Sequence, residues 1–334
     1  MDTLLEVQNL NVEFKTDKST VHALRGINLT VKNMEVVAIV GESGSGKSVT
    51  AKSIMRLLPP QTATFKSGRI NFENKDLTKM SKKEIAEYRG SKISMVFQDP
   101  MTSLNPTMKI GEQIAEGLII HSKLSKKMAM NKAAEMVSLV GIPDAVLCCK
   151  KYPHQLSGGM RQRVGIAMAL VCHPKLLIAD EPTTALDVTI QAQIIDLLKE
   201  VQKKLGMSVI LITHDLGLVA NMADRILVMY AGNIVESGTI QEIFYNPKHP
   251  YTWGLLKSVP KLSGDRNEEL NSIPGAPPDL SEKITGCPFS TRCPYVMDVC
   301  EEYSPIATEL SGTHSASCWL LDRRAPELTE LVES

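Results

Sequence analysis

Apolar and polar positions along the chain follow two different rhythms. Short β-rich runs at Val36–Val40, Leu176–Ala179, Val209–Thr213 and Ile226–Tyr230 are separated by longer stretches with helical spacing. Continuous apolar runs of this length suit strands buried on both faces. The pattern therefore predicts a mainly parallel sheet covered by helices. One helix is specified end to end. From Val188 to Leu205 apolar residues recur at Ile190, Ile194, Leu197, Leu198, Val201 and Leu205. Lys203 and Lys204 fall in its last turn, and Gly206 follows as the cap. Between Asp99 and Cys172 no strand pattern appears, and Ile110–Ile120 and Lys126–Val140 predict a mostly helical insert. After Gly238 the texture changes: Pro247, Pro250, Pro260 and Pro274-Gly275-Ala276-Pro277-Pro278 punctuate a polar, loop-rich tail. No internal repeat or low-complexity tract is visible.

The longest apolar runs, such as Val164–Val171, fall far short of the ~20 residues a membrane span needs. Met1–Glu6 offers neither a basic nor an apolar leader. At 334 residues the chain has room for about two domains. Its 37 Lys and Arg balance 37 Asp and Glu, which argues against a grip on nucleic acid or anionic lipid through bulk charge. The expectation is a soluble intracellular protein whose membrane role, if any, runs through a partner. Seven cysteines, an odd number without an export signal, argue against a disulfide framework. Cys148, Cys149 and Cys172 read as core or surface thiols. Cys287, Cys293, Cys300 and Cys318 crowd the C-terminal end and are better explained by metal.

Gly41-Glu42-Ser43-Gly44-Ser45-Gly46-Lys47-Ser48 fits G-x-x-x-x-G-K-[ST], after an apolar strand and before a helix expected to run to Leu58, where Pro59-Pro60 stops it. Glycines let consecutive backbone N–H groups wrap the β- and γ-phosphates, and the helix N-terminus adds partial positive charge. Lys47 neutralises phosphate oxygens and the Ser48 hydroxyl can ligate Mg²⁺. The run Leu176–Ala179 ends in Asp180 and Glu181. Asp180 is placed to hold Mg²⁺, directly or through water, and Glu181 to polarise an attacking water as general base.

Leu156-Ser157-Gly158-Gly159-Met160, followed by Arg161-Gln162-Arg163, is a second Gly-rich helix start. Ser157 can cap that helix, and Gly158 and Gly159 allow close backbone approach to an anion. Together with the other motifs it closely resembles the signature of ATP-binding cassette (ABC) ATPases, with Met160 where the family usually has Gln. The resemblance implies an α/β P-loop NTPase cassette over residues 1–240. That cassette has a RecA-like core, an antiparallel β subdomain and a helical subdomain at about 99–172. A loop-rich C-terminal extension carrying the four-cysteine site then fills 241–334. In the family two cassettes pair head to tail, and the signature of one completes the ATP site of the other. In that register Gln98 matches the Q-loop contact to Mg²⁺ and water. Thr184-Ala185-Leu186-Asp187 resembles the D-loop that crosses the dimer interface, with Thr for the usual Ser. His214 matches the histidine that hydrogen-bonds the γ-phosphate, and Phe14 is the candidate for the adenine-stacking aromatic.

Phe97-Gln98-Asp99-Pro100-Met101-Thr102-Ser103-Leu104-Asn105-Pro106, Tyr152-Pro153-His154-Gln155 and His249-Pro250-Tyr251-Thr252 look like the dipeptide/oligopeptide permease branch. That branch implies an ATPase peripheral to the cytoplasmic face of the cell membrane. Its partners would be two integral-membrane permease subunits, a second ATPase (a copy or a sister chain) and an extracytoplasmic peptide-binding protein. Another small solute such as nickel is the alternative cargo. A soluble nucleic-acid ATPase is the rival class, opposed by the single cassette, the missing heptad run and the neutral charge.

Five, six and seventeen residues separate the four C-terminal cysteines. No C-x₂₋₄-C knuckle of the kind zinc prefers is present. Wider gaps suit a cubane whose irons each take one thiolate, and Cys287 and Cys293 precede proline. Zinc and free thiols remain open, as does His314 as a ligand. C-terminal extensions in the permease branch carry a similar pattern, associated with a [4Fe–4S] cluster.

Overall fold

A computed structural model describes residues 2–99, 103–184, 186–259 and 273–326. Pro100, Met101 and Thr102 of the Phe97–Pro106 stretch, Ala185 of the D-loop and Pro260 lie outside the described residues.

In chain order the strands are β1 (Thr3–Lys15), β2 (Thr20–Lys32), β3 (Val36–Val40), β4 (Ala63–Phe72), β5 (Lys75–Asp76), β6 (Ile93–Val96), β7 (Leu176–Asp180), β8 (Ser208–Thr213), β9 (Arg225–Tyr230), β10 (Asn233–Thr239), β11 (Thr308–Glu309) and β12 (Ser315–Ala316). The helices are α1 (Lys47–Ile54), α2 (Lys82–Tyr88), α3 (Ile110–Ser122), α4 (Lys126–Leu139), α5 (Ala145–Cys148), α6 (Gly158–Leu170), α7 (Val188–Leu205), α8 (Leu216–Ala220), α9 (Ile240–Tyr245), α10 (Pro250–Lys257) and α11 (Asp298–Glu302).

The apolar runs form one sheet in the order β11-β12-β10-β9-β3-β8-β7-β6, parallel from β9 through β6. Their uniform apolarity has a direct cause. Successive side chains of a strand point to opposite faces, and here both faces are cores. Val36, Ala38 and Val40 join one core with Leu177, Ala179, Val209, Leu211, Ile226 and Val228. Val37 and Ile39 join the other with Leu176, Ile178, Ile210, Ile212, Leu227 and Met229. The first core is closed by α3, α4, α6 and α7. The second is closed by a separate antiparallel sheet, β2-β1-β4-β5.

Helix α7 spans the residues its periodicity predicts, with Gly206 in the left-handed conformation at its end. Helix α1 stops at Ile54 rather than Leu58. Tertiary partners take the groups that would continue it: Arg89 Nε donates to Met55 O at 2.8 Å, and Arg56, at φ 50°, turns its guanidinium onto Leu77 O (3.0 Å) and Met80 O.

The proline-punctuated tail is mostly loop, as its composition implies, yet it is built into the core. Strand β12 pairs with β10 through Glu236–Ala316 and Ser237–Ser315. The buried Glu236 carboxylate accepts the Lys248 N–H (2.7 Å), the His249 N–H (3.0 Å) and His314 Nε2 (2.8 Å). His314 is therefore engaged by a carboxylate. Tyr230, at the end of β9, packs against Tyr251 of α10 in a tilted contact and edge-to-face against Phe289 of the tail, with ring centroids 4.6 and 5.2 Å away.

His249 is buried among these groups, and its Nδ1 accepts the Tyr251 N–H at 3.0 Å, capping α10. Burial lowers its pKa to about 3. An imidazole held neutral in the fold stabilises fully above its unfolded pKa of about 6.5, and that stability drains away as pH falls from there toward 3. Acidification from pH 7 to 5 is expected to cost roughly 2 kcal/mol at this residue. In urea titrations across that range, His249→Asn, which keeps a capping side chain, should flatten the dependence by about one proton's worth.

Candidate nucleotide site

β3, held between β9 and β8 in the parallel sheet, delivers the chain to the phosphate loop, and α1 leaves it. Three glycines there adopt positive φ: Gly41 (152°), Gly44 (79°) and Gly46 (105°). Two of them also lack room for a side chain. A Cβ on Gly41 would stand 2.1 Å from Met229 O, and one on Gly46 would lie 2.7 Å from Met229 Cε and 2.9 Å from Ala23 O. The loop is thus pressed against the end of β9, which fixes the path of its amides. Ser43 and Gly44 are exposed, whereas the Ser45 hydroxyl is buried and has no hydrogen-bond partner among the described residues.

Lys47 is 4% exposed, and its ammonium donates to Gly41 O (2.7 Å) and Glu42 O (2.8 Å). Burial lowers its pKa; Glu181, Asp180 and Glu42 pull the other way. The Ser48 hydroxyl donates to Asp180 Oδ1 at 2.8 Å. Burial raises the Asp180 pKa, while the Ser48 bond and the nearby Lys52 and Lys47 oppose it. Ser48 and Asp180 form an all-oxygen pair of the kind a hard cation such as Mg²⁺ takes.

One residue beyond β7, Glu181 sits at φ 46°, a left-handed conformation that costs a non-glycine residue on the order of 1–3 kcal/mol and is sustained by surrounding contacts. Those contacts are visible. The Glu181 N–H bonds Ile212 O at 2.9 Å. Its Oε2 accepts from Gln98 Nε2 (2.7 Å) and from Thr184 Oγ1 (3.0 Å), and its Oε1 lies 3.6 Å from His214 Nδ1. The fold therefore gathers Lys47, Ser48, Gln98, Asp180, Glu181 and His214, which are drawn from four separate segments.

Ser157, Gly158 and Gly159 are placed elsewhere. They open α6 on an accessible face, where Ser157 Oγ accepts the Met160 N–H at 3.3 Å, and no hydrogen bond among the described residues joins them to the phosphate loop. They are tied instead to the Glu181 segment: Gln162 Nε2 donates to Pro182 O at 2.6 Å, and Gly159 faces Ile190. Asp187 caps α7 by accepting the Ile190 N–H at 2.9 Å. Phe14 is half-buried near the end of β1, paired with Val21 and Ala63 and packed on the second core. The motif reading missed Thr184 as a Glu181 partner, although it stands three residues away. It also missed the grip on Glu42 by Tyr251, whose hydroxyl accepts the Glu42 N–H at 2.8 Å, and by Arg292.

Among the tail cysteines, Cys287 and Cys300 are buried and Cys293 and Cys318 half-buried. Burial pushes the Cys287 thiol up to about 11 and the Cys318 thiol up to about 12, and the neighbouring thiols add to both. Backbone N–H groups donate to three of the sulfurs: Phe289 and Ser290 to Cys287, Tyr295 to Cys293, Leu320 to Cys318. Among the described residues, no three His, Cys, Asp or Glu side chains are gathered closely enough to hold a single metal ion. Cys148 and Cys149 are buried and Cys172 half-buried.

Comparison with known proteins decides the family. Residues 24–184 match the ABC transporter family and residues 235–300 the oligopeptide/dipeptide transporter C-terminal region. The chain is 58% identical to the dipeptide transport ATP-binding protein DppD of Bacillus subtilis, over 97% of both chains. The chain belongs to the ABC transporter ATPases, in the dipeptide/oligopeptide branch. It is also 56% identical to the oligopeptide transport ATP-binding protein OppD of the same organism, over 97% of this chain and 91% of that one. Among solved structures, the dimeric cassette MJ0796 in a post-hydrolysis state bound to ADP and Pi superposes with TM-score 0.64 at 29% identity, covering 71% of this chain and 98% of that one. The α/β cassette fold and ATP hydrolysis assisted by Mg²⁺ come with that membership.

Proposed function

We propose that this cassette is the ATP-hydrolysing subunit of an importer of dipeptides or oligopeptides. The reading rests first on Glu181: one of its oxygens is held by Gln98 and Thr184 while the other faces His214, beside the Ser48–Asp180 pair. Lys47 and the loop amides bind the phosphates of ATP. Ser48 and Asp180, joined by Gln98, would hold Mg²⁺, which neutralises charge on the phosphate oxygens. Glu181 orients water for in-line attack and accepts its proton. His214 contacts the γ-phosphate, and Phe14 stacks on adenine. Ser157, Gly158, Gly159 and Asp187 act across a head-to-tail pair of cassettes, whose partner is a second copy or a sister ATPase. Because these contacts form only in the closed pair, nucleotide shifts an open–closed equilibrium.

No helix among the described residues is long and apolar enough to cross a membrane. In this reading the cassette works at the cytoplasmic face through two membrane permease subunits, with peptide delivered by an extracytoplasmic binding protein. The names of the relatives support peptide cargo. The test is ATP hydrolysis by the reconstituted complex: peptide-loaded binding protein should stimulate it, and stimulation by another solute in place of peptide would overturn the cargo assignment.

The tail cysteines hold, in this reading, a [4Fe–4S] cluster. Cys287, Cys293 and Cys318 each feel the charge of neighbouring cysteines, Cys300 included, so the four lie together, and their spread beyond the reach of one ion fits a cubane better than tetrahedral zinc. Donation of N–H groups to the sulfurs suits thiolate ligands. Anaerobic purification should yield about four irons per chain, lost in Cys287→Ala. Iron-free protein would remove the cluster and leave the cassette assignment untouched.

A further inference from the structure

The cysteine-bearing tail grips the phosphate loop with a charged side chain. Arg292 directly precedes Cys293, and its side chain is 4% exposed. Its guanidinium meets Glu42, the second residue of the loop, at two points: Nη1 to Oε2 at 2.7 Å and Nη2 to Oε1 at 3.1 Å. The remaining donors are fixed as well. Nε donates to Pro274 O (2.9 Å), Nη2 to Ile273 O (3.1 Å) and Nη1 to the Tyr230 hydroxyl (3.3 Å). The Glu42 main chain is held from both sides, by Tyr251 at its N–H and by Lys47 at its carbonyl.

A carboxylate in a loop whose amides receive a triphosphate opposes binding by charge alone. Loop flexibility would let it swing toward the phosphates. The forked contact removes both problems, because a planar guanidinium neutralises the carboxylate and fixes its direction together. Pro277, Pro278, Asp279 and Leu280 of the tail line a small cavity against the same loop residues, so the contact is part of a broader seating of the tail.

We propose that Arg292 is a positioning residue of the nucleotide site: it neutralises Glu42 and draws its carboxylate away from the phosphate-binding amides. Tight MgATP binding then requires the tail to be in place. This rests on Gly41–Ser48 being the phosphate site.

The test uses the full chain and reads MgATP affinity by calorimetry alongside kcat and KM. Arg292→Met keeps an unbranched apolar stem and removes the guanidinium, which also lies over the Tyr230 and Phe289 rings. It should weaken MgATP roughly tenfold, mainly through KM, and Arg292→Lys should recover only part. In a Glu42→Gln background the same Arg292→Met change should cost less than about twofold, because no charge is left to compensate. An equal loss in both backgrounds, whether from packing or from an unfolded tail, would overturn the proposal, as would wild-type affinity in Arg292→Met. Lys47→Ala tests the underlying reading separately: wild-type MgATP affinity there would overturn the assignment of the loop itself.

Discussion

Glu181→Gln is expected to leave MgATP bound and to lower its hydrolysis at least a hundredfold, the scale of losing a general base. The geometry explains why so small a change should have so large an effect. Oε2 already accepts two hydrogen bonds, from Gln98 and Thr184, and Oε1 faces His214. A glutamine at 181 must keep its carbonyl oxygen toward those two donors, which turns its NH₂ toward the His214 side. The position where water would give up a proton then presents a donor instead of an acceptor. Binding should survive, because Lys47, Ser48 and Asp180 are untouched. With hydrolysis blocked, the ATP-bound pair of cassettes should persist and elute as a dimer in MgATP. Single-turnover hydrolysis at the wild-type rate would remove Glu181 from its role.

What could be read from the sequence, and what could not, follows from how local each signal is. The phosphate loop was legible because its glycines are demanded by backbone crowding against Met229 and Ala23, and such demands leave a short, dense motif. Asp180 and Glu181 were legible because a run of buried apolar residues must end where two charges appear. The parallel strands declared themselves through burial on both faces. β1 and β2 did not. Each is thirteen residues long, but register shifts between Val7 and Leu10 and again near Val12 interrupt the alternation that marks a strand. The antiparallel sheet was accordingly implied by family resemblance alone. The tail is loop-rich, as its prolines imply, but its order was not legible: it comes from Glu236 and the Tyr230 ring cluster, contacts made across the chain. Arg292 and Glu42 stand 250 positions apart. Neither has a neighbour in sequence that announces the other, so only the fold could join them.

The same logic of separate segments makes Ser157→Arg the sharpest test of whether one chain is enough. Helix α6 begins on an accessible face with Gly158 and Gly159, whose backbone N–H groups have no acceptor within the helix. The positive end of a thirteen-residue helix is thereby accessible, which is the feature the proposed pairing of cassettes uses. Within its own chain that end is tied to Pro182 and Ile190 but by no hydrogen bond to Lys47 or Ser48. An arginine there would forfeit a helix cap, a loss of about 1 kcal/mol that the fold should absorb, and would fill the space a neighbouring triphosphate needs. MgATP affinity of the single chain should stay within about twofold of wild type, while steady-state hydrolysis should fall at least a hundredfold, as when a donor to the reacting phosphate is removed. Combined with Glu181→Gln, the arginine should abolish the ATP-bound dimer that Glu181→Gln alone accumulates, which size exclusion in MgATP would show directly. Wild-type turnover by Ser157→Arg would mean that the catalytic site is complete within one molecule, and that α6 presents its N-terminus for some other purpose.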